Sequence, residues 1–391
     1  MSEWSIMSVF KDICCARPYL HYQCLHLKSQ RLISSLLLFI LLFCEALLAS
    51  EATMLPAGVY RTRLYFTFAE ADSVYDADGN EQSFEQVYKK ALIDNGVPVD
   101  VKDVYRIDTG GEFSMNRYDF YIEYGVTDNF GLGAWLQYFD ISNNTHASLT
   151  TDSGWAMLSE SQQSAIIGAT EYVDSLDSSA SAPGDTVIGI KHRLLGDNSS
   201  KYRFAYHAGV RVPTGHVADP LDSNDISTGD GQVDLGIWFS FDYQPHPRFF
   251  INLQTRHEYQ LAGTRDVRDP SDPTRTLEME FQPGLINYAE IDAWYFYPLA
   301  KTELILKLMS TYYLEGEERQ QSYDNTSGRF TGSLETVDGT DSSLWTVQPH
   351  IGVSLFPMAI PVRALLSYSI PVAGINLPAA EFIQLRVDVY F

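Results

Sequence analysis

The chain is 391 residues long and carries 27 Lys and Arg against 50 Asp and Glu, a formal charge of −23. Such acidity excludes nucleic acid as a partner, because that affinity comes from basic side chains neutralising phosphates. Aromatic residues at 13% with charged residues at only 20% exclude a disordered chain.

The N-terminus reads as an address. From Leu32 to Leu48 runs an apolar stretch, LISSLLLFILLFCEALL, preceded by Lys28 and Arg31 and followed by small residues. A basic flank, a short apolar core and a small-residue exit make a secretory signal. Glu45 cuts the run below the roughly 18 apolar residues that a membrane helix needs. Cleavage is expected after Ala52, with Met7 or a later codon as a candidate true start. Residues 1–52 then form a long leader and 53–391 a single mature domain. Cys14, Cys15, Cys24 and Cys44 all fall in the leader. The mature chain therefore has no disulfide, no Cys-ligated zinc and no thiol nucleophile, and no cofactor is expected.

Beyond the leader the chain alternates with period two, in segments of about ten residues. In Val233 to Tyr243, the residues Val233, Leu235, Ile237, Phe239, Phe241 and Tyr243 share one face, opposite Asp234, Gly236, Trp238, Ser240 and Asp242. Twelve strands are predicted, near 58–68, 117–126, 130–140, 185–195, 202–213, 232–243, 249–260, 285–297, 302–313, 344–356, 361–371 and 381–391. Tight turns such as Thr127-Asp128-Asn129, Gly196-Asp197-Asn198, Pro298-Leu299-Ala300 and Pro357 to Ile360 alternate with long connections, above all 69–116 and 141–184. Short turns at one end and long loops at the other describe an outer-membrane barrel. The expected fold is all-β: a membrane-spanning, antiparallel, up-and-down β-barrel of about twelve strands, whose long extracellular loops carry short helices. It is placed in the outer membrane of a Gram-negative bacterium, among lipid and lipopolysaccharide.

The outward face should hold no charge, since Lys or Arg at mid-bilayer costs roughly 2–4 kcal/mol. In this register no outward position is Asp, Glu, Lys or Arg, and His192 and His257 are the nearest exceptions. The inward face concentrates charge. Its lumen-lining candidates are Arg117, Asp119, Glu123, Lys191, Arg193, Arg203, His207, Arg211, Asp234, Asp242, Glu290 and Asp292, joined by Arg61, Arg63, Arg256, Glu258, Lys307, Arg363, Arg386 and Asp388. Two readings follow: the charges pair structurally across strands, or a basic sector at Lys191, Arg193, Arg203 and Arg211 forms a polar path for a solute. Twelve strands close a narrow lumen, whereas open aqueous channels come with about 16–18. Trp135, Trp238 and Trp294 are expected to help fill it.

The last segment alternates Ile383, Leu385, Val387, Val389 and Phe391 against polar residues and ends on Phe. Leu385, Val387, Val389 and Phe391 resemble the C-terminal signal read by the barrel-assembly machinery, with periplasmic chaperones as earlier partners. In the first long loop, Phe84, Val87, Tyr88 and Leu92 recur at helical spacing; in the second, Trp155 and Leu158 begin a weaker stripe. Both helices are lid candidates, either capping the mouth or collecting a hydrophobic solute. Asp72, Asp76, Asp78 and Asn80 look like a calcium loop, although Gly79 stands fourth from Asp76 rather than sixth, so a solvated acidic loop is favoured. His146-Ala147-Ser148 resembles the His-x-Ser of outer-membrane phospholipases, but the spacing alone brings no base or orienting group to it.

Tyr121-Ile-Glu-Tyr-Gly-Val-Thr-Asp-Asn, Gly209-Val-Arg-Val-Pro-Thr-Gly215 and Thr228-Gly-Asp-Gly-Gln-Val-Asp-Leu-Gly236 carry a family resemblance. They resemble the MetA-pathway phenol-degradation family of outer-membrane proteins and, more distantly, the fatty-acid and aromatic-hydrocarbon channels. The resemblance covers the layout from about 117 to 391. It implies passive uptake of a small hydrophobic or aromatic compound, with an N-terminal plug. Here a strand is predicted to begin at once after the leader, so a plug is expected from loops 69–116 or 141–184 instead. The alternatives are an enzyme acting on membrane lipid and a structural or adhesive surface barrel.

Overall fold

The computed structural model describes residues 52–299, 302–355 and 360–391. The leader and its cysteines, like parts of two tight turns, lie outside the described residues. Twelve antiparallel strands follow the predicted alternation: β1 (Tyr60–Ala71), β2 (Tyr105–Thr127), β3 (Phe130–Thr151), β4 (Thr186–Leu195), β5 (Tyr202–Val212), β6 (Asp234–His246), β7 (Phe249–Gln260), β8 (Ile286–Pro298), β9 (Glu303–Glu315), β10 (Ser342–Leu355), β11 (Val362–Ile375) and β12 (Glu381–Tyr390). Each pairs with its neighbour in sequence, and β12 pairs back with β1, so the sheet closes into a barrel. Closure removes every edge from the lipid, where an unpaired backbone group has no water to turn to.

At the seam Arg61 lies opposite Tyr390. Phe391 N–H donates to Tyr60 O at 2.9 Å, and Tyr60 N–H donates to Phe391 O at 3.1 Å. The terminal phenylalanine therefore locks the last strand to the first, with its ring exposed toward lipid.

Burial is inverted relative to a soluble protein. Leu132, Ile188, Leu253, Ile291, Leu308 and Ile351 stand on the outer face with roughly half their area exposed, while Arg63, Arg117, Lys191, Asp234, Asp242 and Asp388 are buried inside. Only a lipid environment makes that arrangement favourable, since apolar side chains then meet hydrocarbon and charges meet one another. Rings gather toward the ends of the outer face: Tyr202 stacks on Tyr243 at 5.1 Å, and Tyr60 on Tyr124 at 4.5 Å. Interfacial positions of this kind suit an amphipathic ring. The two outward histidines are accommodated differently. His192 packs edge-on against Phe130 and Tyr206, and His257 Nδ1 lies 2.9 Å from Asn287 Oδ1.

The largest departure from the expected layout is at β2 and β3. Their pairing continues from Gly125 and Gly131 up to Tyr105 and Thr151, far beyond the roughly ten residues that span a bilayer. Stretches predicted as loop, 105–116 and 141–151, are therefore strand. Their polar runs, such as Ser142-Asn143-Asn144-Thr145, hide the alternation because they rise above the membrane into water. Opposite them, Ser178–Pro183 pairs with β3 before β4 begins, and a kink at Gly184 and Asp185 links the two. There Gly184 N–H donates to Gln137 O, and Gln137 Nε2 donates to Asp185 O.

Two helices pack on the inner side of this raised hairpin. Helix α1 (Phe84–Asp94) meets β2 and helix α2 (Glu160–Asp174) meets β3. Each begins with a capping box: Ser83 with Gln86, and Ser159 with Gln162. Ser83→Ala is expected to cost about 1 kcal/mol locally. Faster amide exchange confined to α1 would show it, and unchanged exchange would mean that packing alone holds the helix. The fourth and fifth loops add two hairpins, Gly263–Asp269 with Asp272–Gln282 and Arg319–Asp324 with Arg329–Thr336, which join as a four-stranded sheet above the barrel.

Candidate channel lumen

All twelve predicted lumen residues are buried within the barrel, and the fold reveals their partners. Near the short-turn end, Glu123 accepts from Arg61 and lies 3.9 Å from Lys191. Arg203 Nε donates to Asp242 Oδ2 at 3.0 Å, and Asn252 Nδ2 reaches the other oxygen of the same carboxylate at 2.6 Å. Arg193 binds turns rather than a carboxylate: it donates to Asp128 O at 2.8 Å and to Asn129 Oδ1. Asp388 accepts from Arg63 and Arg386, both through Nε at 2.9 Å.

At mid-height Arg117 Nε donates to Asp119 Oδ2 at 2.9 Å, and Trp135 Nε1 donates to Asp119 Oδ1 at 3.0 Å. Lys307 lies 2.9 Å from Asp292 and 3.8 Å from Glu290, and Trp294 Nε1 donates to Asp292 at 2.7 Å. His207 is fully buried, with Ser240 Oγ 3.5 Å from its Nε2. Higher still, Arg211 pairs with Glu258 and lies 3.6 Å from Asp234 and 4.0 Å from Asp230. The basic sector proposed from sequence is thus interleaved with carboxylates from neighbouring strands, and the pairing reading describes it.

None of these charged side chains faces open water. Lys191, Asp234, Asp242 and Asp388 have no exposed surface, and Arg63, Arg117 and Glu123 retain 1%. Trp135, Trp238 and Trp294 are buried with them, Trp294 stacked on Phe250 at 5.4 Å beneath Lys307. The lumen is packed shut in this state.

The segment just before β1 reaches into the short-turn mouth. Lys191 Nζ donates to Thr53 O at 2.7 Å, and Asn198 brackets Met54, accepting from its N–H at 3.2 Å and donating to its carbonyl at 3.0 Å. Met54 is 2% exposed. The structure therefore corrects the expectation that only long loops could obstruct the barrel: Met54 and Leu55 lie buried at its short-turn mouth. No sequence motif marks so short a segment; Gly125, where a Cβ would stand 2.2 Å from Pro56 O, is the one local signal.

At the outer mouth the lid candidates converge. Phe84, Tyr88 and Leu92 of α1 join Ile166, Ala169 and Val173 of α2 and Ile107, Phe113, Met115, Phe139 and Ile141 of the raised strands in one buried apolar cluster. Val87, Trp155 and Leu158 pack against its edge, Trp155 edge-on to Tyr105 at 5.7 Å. Burial pushes the Tyr88 hydroxyl up to about 12. Helices and strand tops thus form an apolar roof over a polar lumen.

Sequence reasoning missed Asp185 and Asp230, which bind the third loop to this roof. Asp185 accepts from Gly215 N–H at 2.8 Å and from Asp230 N–H at 3.3 Å. A side chain at Gly215 or Gly229 would collide with the other glycine or with Asp185, so the Gly pair was the available signal. Asp76 builds a turn: its Oδ1 accepts from the N–H groups of Asp78 and Asn80, both at 2.9 Å. Burial raises its carboxyl, but these backbone donors outweigh it and hold the group below its ordinary value. Asp72 instead gives its carbonyl to Phe84 N–H at the start of α1. His146 lies on a strand rather than in a loop, against Gly110 of β2, where a Cβ would stand 2.1 Å from its ring.

Comparison with solved structures places this architecture. The chain is similar to an outer-membrane channel from Pseudomonas putida F1 at 13% identity and a TM-score of 0.55, covering 88% of this chain and 99% of that one. A Pseudomonas aeruginosa FadL homologue (7% identity, TM-score 0.32, 86% and 90% covered) and a mutant of the TodX monoaromatic hydrocarbon channel (11%, 0.35, 86% and 91%) are also similar. Only the first likeness is high enough to bear on the fold, the closed antiparallel β-barrel that the two share. No family model matches the chain, and no curated protein matches it.

Proposed function

We propose that the protein is a passive outer-membrane channel for small hydrophobic compounds, closed at rest. The apolar roof carries this reading. Two capped helices and two raised strands bury a continuous apolar cluster at the outer mouth, next to the lumen entrance. A hydrophobic solute gains free energy by entering such a site, at about 25 cal/mol per Å² of apolar surface removed from water, whereas a sugar or ion gains none. The shared fold with an outer-membrane channel supports the same reading. Cleavage of residues 1–52 and recognition of Leu385, Val387, Val389 and Phe391 by the assembly machinery and periplasmic chaperones complete the proposed route to the membrane. The acidic loops, among them Asp76 and Asp78, are proposed to meet lipopolysaccharide through bridging divalent cations.

The reading predicts that cells bearing a lipopolysaccharide outer membrane take up radiolabelled toluene or octane faster when they express this chain, with sugar uptake unchanged. Removal of Glu81 to Asn95, which deletes α1, is expected to abolish the gain. Equal uptake with and without the protein would overturn the reading. A surface-binding role is favoured only by the four-stranded sheet above the barrel; adhesion lost on trimming 263–282 and 319–336, at unchanged uptake, would support it.

A further inference from the structure

Four glycines occupy consecutive positions across four adjacent strands. Gly133 of β3 lies opposite Gly189 of β4, Gly189 opposite Gly209 of β5, and Gly209 opposite Gly236 of β6. The row is bounded by Glu123 of β2 at the lower end and Glu258 of β7 at the upper. All belong to the inward set, so a strip of the lumen wall carries no side chain. It climbs from the periplasmic level of Glu123 to the outer level of Glu258, because a tilted strand array turns a hydrogen-bonded row into a spiral. Glycine in a strand interior weakens it and often marks a site where another group approaches the backbone closely.

One ring occupies part of this strip. A Cβ on Gly236 would stand 2.7 Å from the Trp238 indole, and one on Gly209 would stand 3.1 Å from it. The indole therefore lies directly on the glycine floor, with the Arg256 guanidinium 5.4 Å from its ring centre. Trp238 is 3% exposed, yet its Nε1–H has no hydrogen-bond partner. Beside it on β5, the Nδ1 of fully buried His207 also lacks one, and so does the buried hydroxyl of Tyr121 on β2. Buried indole and imidazole groups ordinarily find a partner, and leaving them without one is costly. A flat space floored by backbone, with orphaned polar atoms at its rim, matches a flat molecule that carries a hydrogen-bond acceptor.

We propose that the glycine row is the solute track of the barrel and that Trp238 is its occupant at rest. A flat solute with an acceptor atom passes by replacing the indole on the glycine floor, while solutes of similar size but globular shape are held back. The proposal rests on the channel reading above and adds the solute shape and the residue that sets it.

The test measures uptake of radiolabelled chromone, flat with a carbonyl acceptor, and of camphor, globular with a carbonyl acceptor, into vesicles bearing lipopolysaccharide. Trp238→Ala is expected to raise chromone uptake about tenfold, the order expected when one ring's packing leaves the barrier. Camphor uptake is expected to rise far less. Gly236→Leu added to Trp238→Ala is expected to return chromone uptake to the wild-type rate, since the three atoms nearest a Gly236 Cβ all belong to Trp238 and leave with it. Heat-modifiable migration on gels checks barrel assembly, and Trp238→Leu serves should the alanine variant not assemble. Wild-type uptake of both solutes with no response to any variant would overturn the track and leave the channel reading intact. Absence of uptake in wild type and variants alike would overturn both. An equal rise for chromone and camphor would overturn the selectivity for flat solutes.

Discussion

Asp388→Ala is expected to destabilise the barrel by about 3–5 kcal/mol, because it removes the shared partner of two buried guanidinium groups. Asp388 has no exposed surface. It accepts from Arg63 Nε at 2.9 Å across the β12–β1 seam and from Arg386 Nε and Nη2 at 2.9 and 2.8 Å on its own strand. In a packed lumen neither arginine has water to replace the lost carboxylate, so the charge stays uncompensated. Replacing all three together, with Asp388→Leu, Arg63→Met and Arg386→Met, is expected to be close to neutral, since the desolvation cost disappears with the charges. The midpoint of urea unfolding in phospholipid vesicles measures both. A single variant as stable as the wild type would mean that water reaches the arginines and that the lumen is open at this level.

Leu308→Arg probes the other side of the wall. Leu308 lies midway along β9 and is 56% exposed, between Leu306 and Tyr312 on the same outward face. If lipid surrounds it, an arginine there is expected to cost about 2–4 kcal/mol. If water surrounded it, the substitution would change stability by no more than about 0.5 kcal/mol, as exposed positions generally do. The same urea titration distinguishes the two, and Thr302→Arg beyond the end of β9 provides an interfacial control with a smaller expected effect.

The barrel was legible in the sequence because one physical rule acts on every strand. Lipid admits no outward charge and the lumen admits few outward-type apolar runs, so alternation survives in each segment from Tyr60 to Phe391. Where lipid ends, the rule ends: Ser142 to Thr145 lie on strand β3 above the membrane, and nothing there forces apolar residues outward. The site was legible only in part. Inward placement of Arg203, Arg211, Asp234 and Asp242 followed from period two alone. Their partners did not, because the register between strands depends on barrel shear, which brings Arg211 beside Glu258 two strands away. Met54 at the short-turn mouth and Asp185 at the kink depend on tertiary packing of short irregular segments, which leave no periodic trace. Phe84, Tyr88 and Leu92 announced a helix with one apolar face, but not what that face covers; the raised strands that receive it were themselves hidden.

Thiol accessibility tests the arrangement most directly, because the described residues contain no cysteine. Single cysteines are placed at Leu308 on the outer face and at Ser240, which is fully buried on the inner face. The protein is then treated in its native membrane with a sulfonated, water-soluble maleimide and separately with a lipid-soluble one. A lipid-embedded barrel with a packed lumen predicts that neither Leu308→Cys nor Ser240→Cys reacts with the water-soluble reagent until the protein is unfolded, and that Ser240→Cys resists the lipid-soluble one as well. Rapid reaction of Leu308→Cys with the water-soluble reagent would contradict the membrane barrel, and rapid reaction of Ser240→Cys would contradict its closed interior.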